Sequence, residues 1–317
     1  MFYESRYEME FIKGFTFGWD SKKGDFKKDA AKESLRLMKE RTGSEYVIIS
    51  LAALQDTAQS VDIDYHGSHM VEDDELIAMI KYARTLDLKV ILKPTVNTRI
   101  GTWRAHINFF DMDVPCEPKW HEWFESYTTY QLHYAKIAEQ TNCEMFIVGC
   151  EMVQAERRAE DWRKLIVNVR NEYTGLITYN TDKYQEDHVS WWDAVDVISS
   201  SGYYPIDDWD NQLDRIEKVV KSHNKPFFFA EAGCPSREGS SFIPNDWELE
   251  GGVNLKEQED FYLMMFEKTK QRDWVKGFGL WDWNTFLSDK ASAVNDDGYG
   301  VYGKPAEKVI HEFYSNI

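Results

Sequence analysis

The segment PFFFAEAGC, residues 226–234, places one acidic residue, Glu231, directly after four apolar residues. A run such as Phe227–Phe229 is too apolar for a sheet with one face in water, and is typical of a parallel strand covered on both faces. A second segment, MFIVGCEM at residues 145–152, repeats this pattern and carries Glu151. Each segment therefore predicts a buried strand that ends in a carboxyl group.

Similar apolar, β-prone runs recur along the whole chain, separated by amphipathic segments with helical period such as Leu76, Ile80 and Ala83. The strand candidates are Gly14–Trp19, Tyr46–Leu54, Lys89–Val96, Met145–Met152, Gly175–Thr181, Val197–Pro205, Pro226–Cys234 and Val275–Asn284. Eight strands alternating with helices favour an α/β fold, a single (β/α)8 TIM barrel over residues 1–317. A doubly wound open sheet is the alternative, because the crossover Asp182–Asp196 is short and weakly helical.

The composition limits the classes of partner. The formal net charge of −18 disfavours nucleic acid and anionic membranes as partners, whereas a neutral oligo- or polysaccharide is not repelled. No apolar run is long enough to span a bilayer. Trp, Tyr and Phe make up 15% of the chain, and their flat rings suit the apolar faces of sugars, although most rings are expected in the core. No obligate protein partner is indicated.

Cysteine usage and the N-terminus bear on location. Cys116, Cys143, Cys150 and Cys234 form no CxxC pair, and we expect all four to be reduced. The first residues contain Glu4, Glu8 and Glu10 and lack the apolar core of a signal peptide. We therefore expect a cytoplasmic protein, with a trimmed secreted form as the alternative.

The functional site of such a barrel is expected at the C-terminal ends of its strands. Glu151 and Glu231 end strands four and seven, where an unpaired buried carboxylate would be costly. Each could instead pair with a buried cation such as Lys93. Two carboxyls that converge in one cleft are what glycosidic bond cleavage requires, and a separation of about 5–5.5 Å would indicate retention of configuration.

Several motifs carry a resemblance to a known family: KGFTFG at residues 13–18, GCE at 149–151, SGYYP at 201–205, AEAG at 230–233 and WDW at 281–283. Glutamates that end strands four and seven mark the retaining (β/α)8 glycosidases of clan A. Within that clan the chain resembles the β-1,4-mannanases of glycoside hydrolase family 113. The resemblance implies a retaining hydrolase that cleaves β-1,4-linked mannan or manno-oligosaccharides by double displacement, without metal or cofactor.

Carried over by position, the resemblance implies that Glu151 is the general acid/base and Glu231 the nucleophile. Tyr203 would hold Glu231 by a hydrogen bond, and Trp281 would form a platform under the sugar. Much of the clan has Asn directly before the acid/base, to bind the sugar 2-hydroxyl, whereas this chain has Cys150. Asn180 or Asn97 would then take that role, or the contact is absent.

Further residues at the strand ends are candidates for substrate binding. Lys93, Asn97 and Arg99 could donate to sugar hydroxyls, or could form salt bridges on the barrel rim. Trp19 could face the mouth or pack against it. Trp103 in the loop 98–118 and Trp247 in the loop 235–252 could build binding subsites or hold their own loops in place, and the second is favoured for Trp247.

Three alternative functions remain open at this level. The first is a retaining β-glycosidase for xylan, glucan or galactan, and the second is a carbohydrate-binding barrel without turnover. A metal-dependent barrel hydrolase would need His and Asp at the strand ends, which carry mainly Glu, Tyr, Asn and Trp instead. The GxGxxG match at residues 298–303 follows the last strand candidate and predicts a turn, and His66 and His69 predict a solvated loop.

Overall fold

The computed structural model describes residues 9–317, so most of the N-terminal segment that bears on a signal peptide lies outside the described residues. Its strands are β1 Ile12–Phe17, β2 Tyr46–Gln55, β3 Lys89–Thr98, β4 Met145–Cys150, β5 Leu176–Thr181, β6 Val197–Gly202, β7 Phe227–Ala232 and β8 Val275–Trp283. They are parallel and pair in sequence order, and β8 pairs with β1 to close the barrel. The prediction of a (β/α)8 barrel is confirmed, and the open-sheet alternative is wrong.

Seven α-helices surround the barrel in the described part of the chain: α1 Asp29–Thr42, α2 Asp73–Thr85, α3 Trp120–Gln140, α4 Ala159–Glu172, α5 Trp209–His223, α6 Leu255–Lys270 and α7 Pro305–Ser315. The crossover from β5 to β6 contains only the 3₁₀ turn Trp192–Ala194. Its Trp191 ring stacks on Trp162 of α4 at 5.0 Å and packs against Tyr179 of β5. Large indole rings thus cover β5 where a helix would otherwise lie.

The lower end of the barrel interior is filled by an apolar layer of side chains, which includes Ile48, Ile91, Ile147 and Phe228. A larger core lies between the strands and the helices. Above the apolar layer the interior becomes polar. The upper, C-terminal end of the barrel therefore holds the groups that are able to carry out chemistry.

Two irregularities in strand pairing lie under the two glutamates. On β7, Phe228 and Ala230 point into the barrel, so strict alternation would turn Glu231 outward. The register between β6 and β7 shifts, however, between Ser200 and Ser201, and the extra residue re-aims Glu231 inward. A similar shift between β4 and β5 follows Ile147.

Other local predictions are also settled by the structure. Residues 298–303 form a turn before α7, which begins with Pro305 in the first helical turn. The four cysteines are free. Within residues 9–317, no helix has both the length and the apolar character that a membrane crossing needs.

Candidate active site

Glu231 lies at the end of β7 and is almost fully buried. Its Oε1 atom contacts the Lys93 ammonium group, and its Oε2 accepts a hydrogen bond from the Tyr203 hydroxyl at 2.8 Å. Burial alone would raise the pKa of Glu231, but the charges of Lys93 and Arg104 and the hydrogen bonds from Lys93 and Tyr203 hold it below its ordinary value. Glu231 is therefore ionised at neutral pH. The hydrogen bond from Tyr203 is the one that the resemblance implies.

Lys93 lies beneath the site and not on the rim. Its side chain is fully buried, and its Nζ donates to Asn180 Oδ1 at 2.8 Å as well as to Glu231. Asn180 is equally buried, and its amide donates to the Thr181 carbonyl and to Ser201 Oγ. Neither Lys93 nor Asn180 lines the cleft, so the structure does not place either where it would bind a sugar hydroxyl.

Glu151 follows the last residue of β4 and adopts a left-handed backbone conformation, with φ of 52°. This conformation is uncommon for residues other than glycine and is found preferentially at functional sites. Ser201 Oγ donates to its Oε1 at 2.8 Å. Trp103 Nε1 and Arg104 Nη2 lie 3.2 Å and 3.3 Å from its Oε2.

The two glutamates face each other in one cleft of about 570 Å³. A carboxylate oxygen of Glu151, one of Glu231 and the Cys150 sulfur all lie within 4.8 Å of one another. This separation matches the roughly 5–5.5 Å of retaining glycosidases and is too short for the water that inverting enzymes place between their carboxyls. Each glutamate has a cation nearby, yet both remain in the same cleft.

Cys150, Glu151 and Glu231 also form a group of potential metal ligands. Burial raises the pKa of the Cys150 thiol to about 12, so it is protonated, and its sulfur lies 3.4 Å from Glu231 Oε1. Lys93 and Arg104 already contact the two carboxylates. A metal ion would have to displace both cations, so this arrangement favours charge-assisted hydrogen bonds instead.

Aromatic rings form the walls of the cleft. Trp19, Trp103, Tyr203, Trp247 and Trp281 all line it. Trp19 packs on Trp281 with ring centroids 5.3 Å apart, and its indole N–H donates to Asp282 at 2.5 Å. Flat apolar surfaces beside two carboxyls are typical of a carbohydrate site.

At the rim, Trp247 forms part of the cleft wall, and Arg99 forms the salt bridges that were one of its two predicted alternatives. Trp247 does more than hold its own loop, because its ring lies 4.6 Å from Tyr299 and 6.1 Å from Trp19 and forms part of the cleft wall. Arg99 points away from the cleft and pairs with Asp56 and Asp64, which draw its guanidinium to the rim. Asn97 does line the cleft, and its Oδ1 accepts a hydrogen bond from Arg104 Nη1 at 2.8 Å.

Sequence reasoning missed three residues of the site. Ser201 begins the motif SGYYP, so its place at the end of β6 was a usable signal. Asp182 follows β5 directly and lines the cleft. Arg104 lies in the 3₁₀ turn Arg104–His106 within the long loop after β3, and no pattern in the sequence identified it as a site residue. That Arg104 meets Glu151 is visible only in the folded chain.

Known proteins resemble this chain over nearly its whole length. The model of Glycoside Hydrolase Family 113 matches residues 15–304. A solved complex of a family 113 β-1,4-mannanase is 71% identical, covers 98% of this chain and 100% of its own, and superposes with a TM-score of 0.97. A search of curated protein sequences gave no match.

A second solved structure, of lower sequence identity, belongs to the same family. The family 113 β-mannanase AaManA of Alicyclobacillus acidocaldarius, solved in complex with ManMIm, is 44% identical, with 98% of both chains covered and a TM-score of 0.94. A Ruminococcus gnavus β-glucuronidase, 13% identical with a TM-score of 0.65, shares the fold alone. The chain therefore belongs to glycoside hydrolase family 113 and is a glycoside hydrolase.

Proposed function

We propose that this enzyme hydrolyses β-1,4-linked mannan and manno-oligosaccharides with retention of configuration, with Glu231 as nucleophile and Glu151 as general acid/base. The observation that carries the proposal is the approach of the two carboxyls to within 4.8 Å in one aromatic-walled cleft. The family relatives at 71% and 44% identity are described as β-mannanases, which supports mannan as the substrate.

The first half of the reaction is the transfer of the sugar to the enzyme. A Glu231 oxygen attacks the anomeric carbon while the bond to the leaving oxygen breaks, and Glu151 gives its proton to that oxygen. The product is a covalent glycosyl-enzyme and a free hydroxyl on the departing glycan. Lys93 and Tyr203 support this step, because they keep Glu231 ionised and aimed at the cleft.

The second half releases the sugar. Ionised Glu151 takes a proton from a water molecule, whose oxygen attacks the anomeric carbon and breaks the bond to Glu231. Glu231 leaves as a carboxylate and Glu151 is protonated again, so both groups return to their starting states. A sugar hydroxyl in place of water would give transglycosylation by the same route.

The sugar preference is the part of the proposal that rests on relatives, because xylan, glucan and galactan would be cleaved by the same chemistry. We expect the purified protein to release products from manno-oligosaccharides at a rate at least about tenfold above those from the xylan, glucan and galactan series. Proton NMR of the first products should show the β-anomer. A preference for another glycan would contradict the substrate, and initial α-anomer would contradict the retaining mechanism.

The cellular location of the protein and its binding partners stay predictions. We propose a cytoplasmic enzyme whose partner is its polysaccharide or oligosaccharide substrate. Fractionation of the source cells followed by immunodetection would test this, and detection in the culture medium alone would contradict it.

A further inference from the structure

A second, smaller pocket lies beside the catalytic cleft and shares two tryptophans with it. Its volume is about 190 Å³, and Trp19 and Trp247 line both the pocket and the cleft. The rest of its wall comes from the loop after β7, from the end of β8 and from the loop before α7, and includes Arg237, Asp282, Asn284 and Tyr299. Neither Glu151 nor Glu231 lines it, so the pocket is separate from the reacting groups.

Two polar side chains of this pocket have few partners inside the protein. Asp282 is 3% exposed, and among residues 9–317 the Trp19 indole N–H is the one side-chain group that donates to it, with its own backbone N–H as a further donor. The half-buried side-chain amide of Asn284 forms no hydrogen bond in the same part of the chain, where only its backbone carbonyl is engaged, by Ser34 Oγ. Buried polar groups are nearly always hydrogen-bonded in native proteins, so Asp282 and Asn284 are available to the hydroxyls of a ligand.

The chain keeps the space beside the Asn284 amide open. A Cβ atom at Gly300, which also lines the pocket, would lie only 2.5 Å from Asn284 Oδ1. The φ angle of Gly300 is not in the left-handed region, so lack of space, and not backbone conformation, accounts for the glycine. Glycine at such a position is typical of a place where a ligand approaches the backbone closely.

The charges around the pocket favour a neutral ligand. Arg237 Nε lies 2.8 Å from Asp297 Oδ2, and Lys304 Nζ lies 3.1 Å from Asp296 Oδ1. In the described part of the chain, the wall therefore offers no unpaired cation to an anionic ligand, whereas the Asp282 carboxyl disfavours one.

One side of the pocket is a flat apolar surface. The Trp247 ring lies 4.6 Å from Tyr299 and 6.1 Å from Trp19, measured between ring centroids. Arg237 donates to the Leu249 carbonyl at 2.8 Å and so holds the loop that carries Trp247. Aromatic faces beside a carboxyl and an amide suit a pyranose ring, which has apolar faces and a rim of hydroxyls.

The pocket lies on the nucleophile side of the cleft. Its residues follow β1 and β7 or belong to β8 and the loop after it, whereas Glu151 follows β4 and is contacted from β6 and the loop after β3. In the proposed reaction Glu151 protonates the oxygen of the departing part, which therefore lies toward Glu151. The pocket is thus beside the part of the glycan that Glu231 retains, the glycon side.

We propose that this pocket binds a second, neutral pyranose unit on the glycon side of the cleaved bond. Asp282 and Asn284 hydrogen-bond its hydroxyls, and the rings of Trp19 and Trp247 contact its apolar face. The unit is either the next sugar of the main chain or a single sugar branch on the retained residue, and both present the same ring and hydroxyls. Asp282 and Asn284 touch no reacting atom. The inference rests on the proposed function.

The test compares substrates that reach the pocket with one that does not. In Asn284→Ala, the ratio of kcat/KM on a manno-oligosaccharide to kcat/KM on a dinitrophenyl mannoside should fall about fivefold, because the lost hydrogen bonds involve only a sugar beyond the reacting one. The ratio is measured with unbranched mannotetraose and with a manno-oligosaccharide of the same length that carries a single sugar branch. Circular dichroism establishes that the variant is folded.

Two further variants make the test specific. Gly300→Ala should lower the same ratio, because its methyl group would force the Asn284 amide out of position. Asn295→Ala removes an exposed amide from the loop after β8, outside the pocket, and should keep the wild-type ratio. A fall with the unbranched substrate identifies a main-chain unit in the pocket, and a fall confined to the branched substrate identifies a branch.

The outcomes separate this inference from the proposed function. An unchanged ratio on both substrates in folded Asn284→Ala, or an equal fall in Asn295→Ala, would overturn the sugar-binding role of the pocket. If Asn284→Ala does not fold, an unchanged ratio in Gly300→Ala overturns it as well. A wild-type enzyme that cleaves none of these mannosides would instead contradict the proposed function itself.

Discussion

Glu231 and Glu151 face each other across the cleft, but the chain holds them by different means. The surroundings of Glu231 consist of strand residues and the residue after a strand: Lys93 on β3, Tyr203 after β6 and Cys150 on β4. Those of Glu151 include two side chains from the long loop after β3, Trp103 and Arg104, besides Ser201 on β6.

This difference fits the two proposed roles. A nucleophile has to stay ionised and aligned, and a buried ammonium group held by rigid strands provides both. An acid/base has to lose and regain a proton in each cycle, so a strong fixed charge pair would oppose one of its two states. Glu151 has no such pair, because its contacts with Trp103 and Arg104, at 3.2 Å and 3.3 Å, are longer than those that Glu231 receives from Lys93 and Tyr203.

The largest expected effect concerns Glu231. Glu231→Ala should lower kcat by about 10⁴-fold or more, because the covalent intermediate cannot form. Azide should restore turnover and give a mannosyl azide of inverted, α configuration. Glu238→Ala, which changes an exposed acid after the same strand, serves as the control. Activity of Glu231→Ala close to that of the control would show that Glu231 is not the nucleophile.

Removal of the acid/base should depend on the leaving group. Glu151→Ala should cost about 10³-fold in kcat/KM on manno-oligosaccharides but about tenfold or less on a dinitrophenyl mannoside, whose leaving group needs no proton. Steady-state kinetics on the two substrates measure the ratio. Equal losses on both would argue that Glu151 acts in some way other than proton transfer.

The two cations beside the glutamates should not be equivalent. Lys93→Met should move the acid limb of the pH profile up by about one to two units, because Glu231 then gains a proton more readily. Arg104→Met should move the same limb less, since Arg104 contacts Glu151 and not Glu231 directly. Circular dichroism establishes that both variants are folded. A larger shift in Arg104→Met would reverse the comparison drawn above.

The smallest effect concerns Glu156, a buried carboxyl that Tyr179 links to the backbone next to the acid/base. Glu156 accepts hydrogen bonds from Tyr179 and Thr181, and the Tyr179 hydroxyl also accepts from the backbone N–H of Met152. Burial raises the pKa of Glu156 from 4.5 to about 8. The folded state therefore keeps a proton on Glu156 that the unfolded state loses. The stability that this proton contributes is fully present below the ordinary pKa of a glutamate and is lost as the pH rises through about 8.

Glu156→Gln, which stays neutral, should accordingly gain in Tm relative to the wild type as pH rises. The difference between the two Tm values should increase by about 2–5 °C between about pH 5 and pH 9. Calorimetry measures it, and the exposed Glu160→Gln variant is the matched control. A difference that stays constant with pH would mean that Glu156 does not titrate in this range.

Much of the fold could be read from local patterns. All eight strand candidates lie within three residues of the observed strands, because runs buried on both faces are continuously apolar. The weak crossover after β5 was visible as well, since its indole-rich sequence lacks a helical stripe. The positions of Glu151 and Glu231 followed from the same patterns, because each acid directly ends an apolar run.

The surroundings of those acids could not be read in the same way. Lys93, Asn180 and Arg99 were all reasonable donors to sugar hydroxyls, yet two lie beneath the cleft and the third pairs with carboxylates on the rim. Trp247, for which holding its own loop was favoured, also contacts Tyr299 and Trp19. Each of these contacts joins residues that lie far apart in the chain.

The sequence by itself determined the order of the elements and the two acids that end β4 and β7, because burial of apolar side chains imposes its period on neighbouring residues. Only the tertiary structure decided where those acids point and what holds them. The register shift beside Glu231 depends on how β6 pairs with β7, and Arg104 meets Glu151 only after the loop folds over the mouth. Contacts of this kind arise when the barrel closes and leave no periodic trace in the chain.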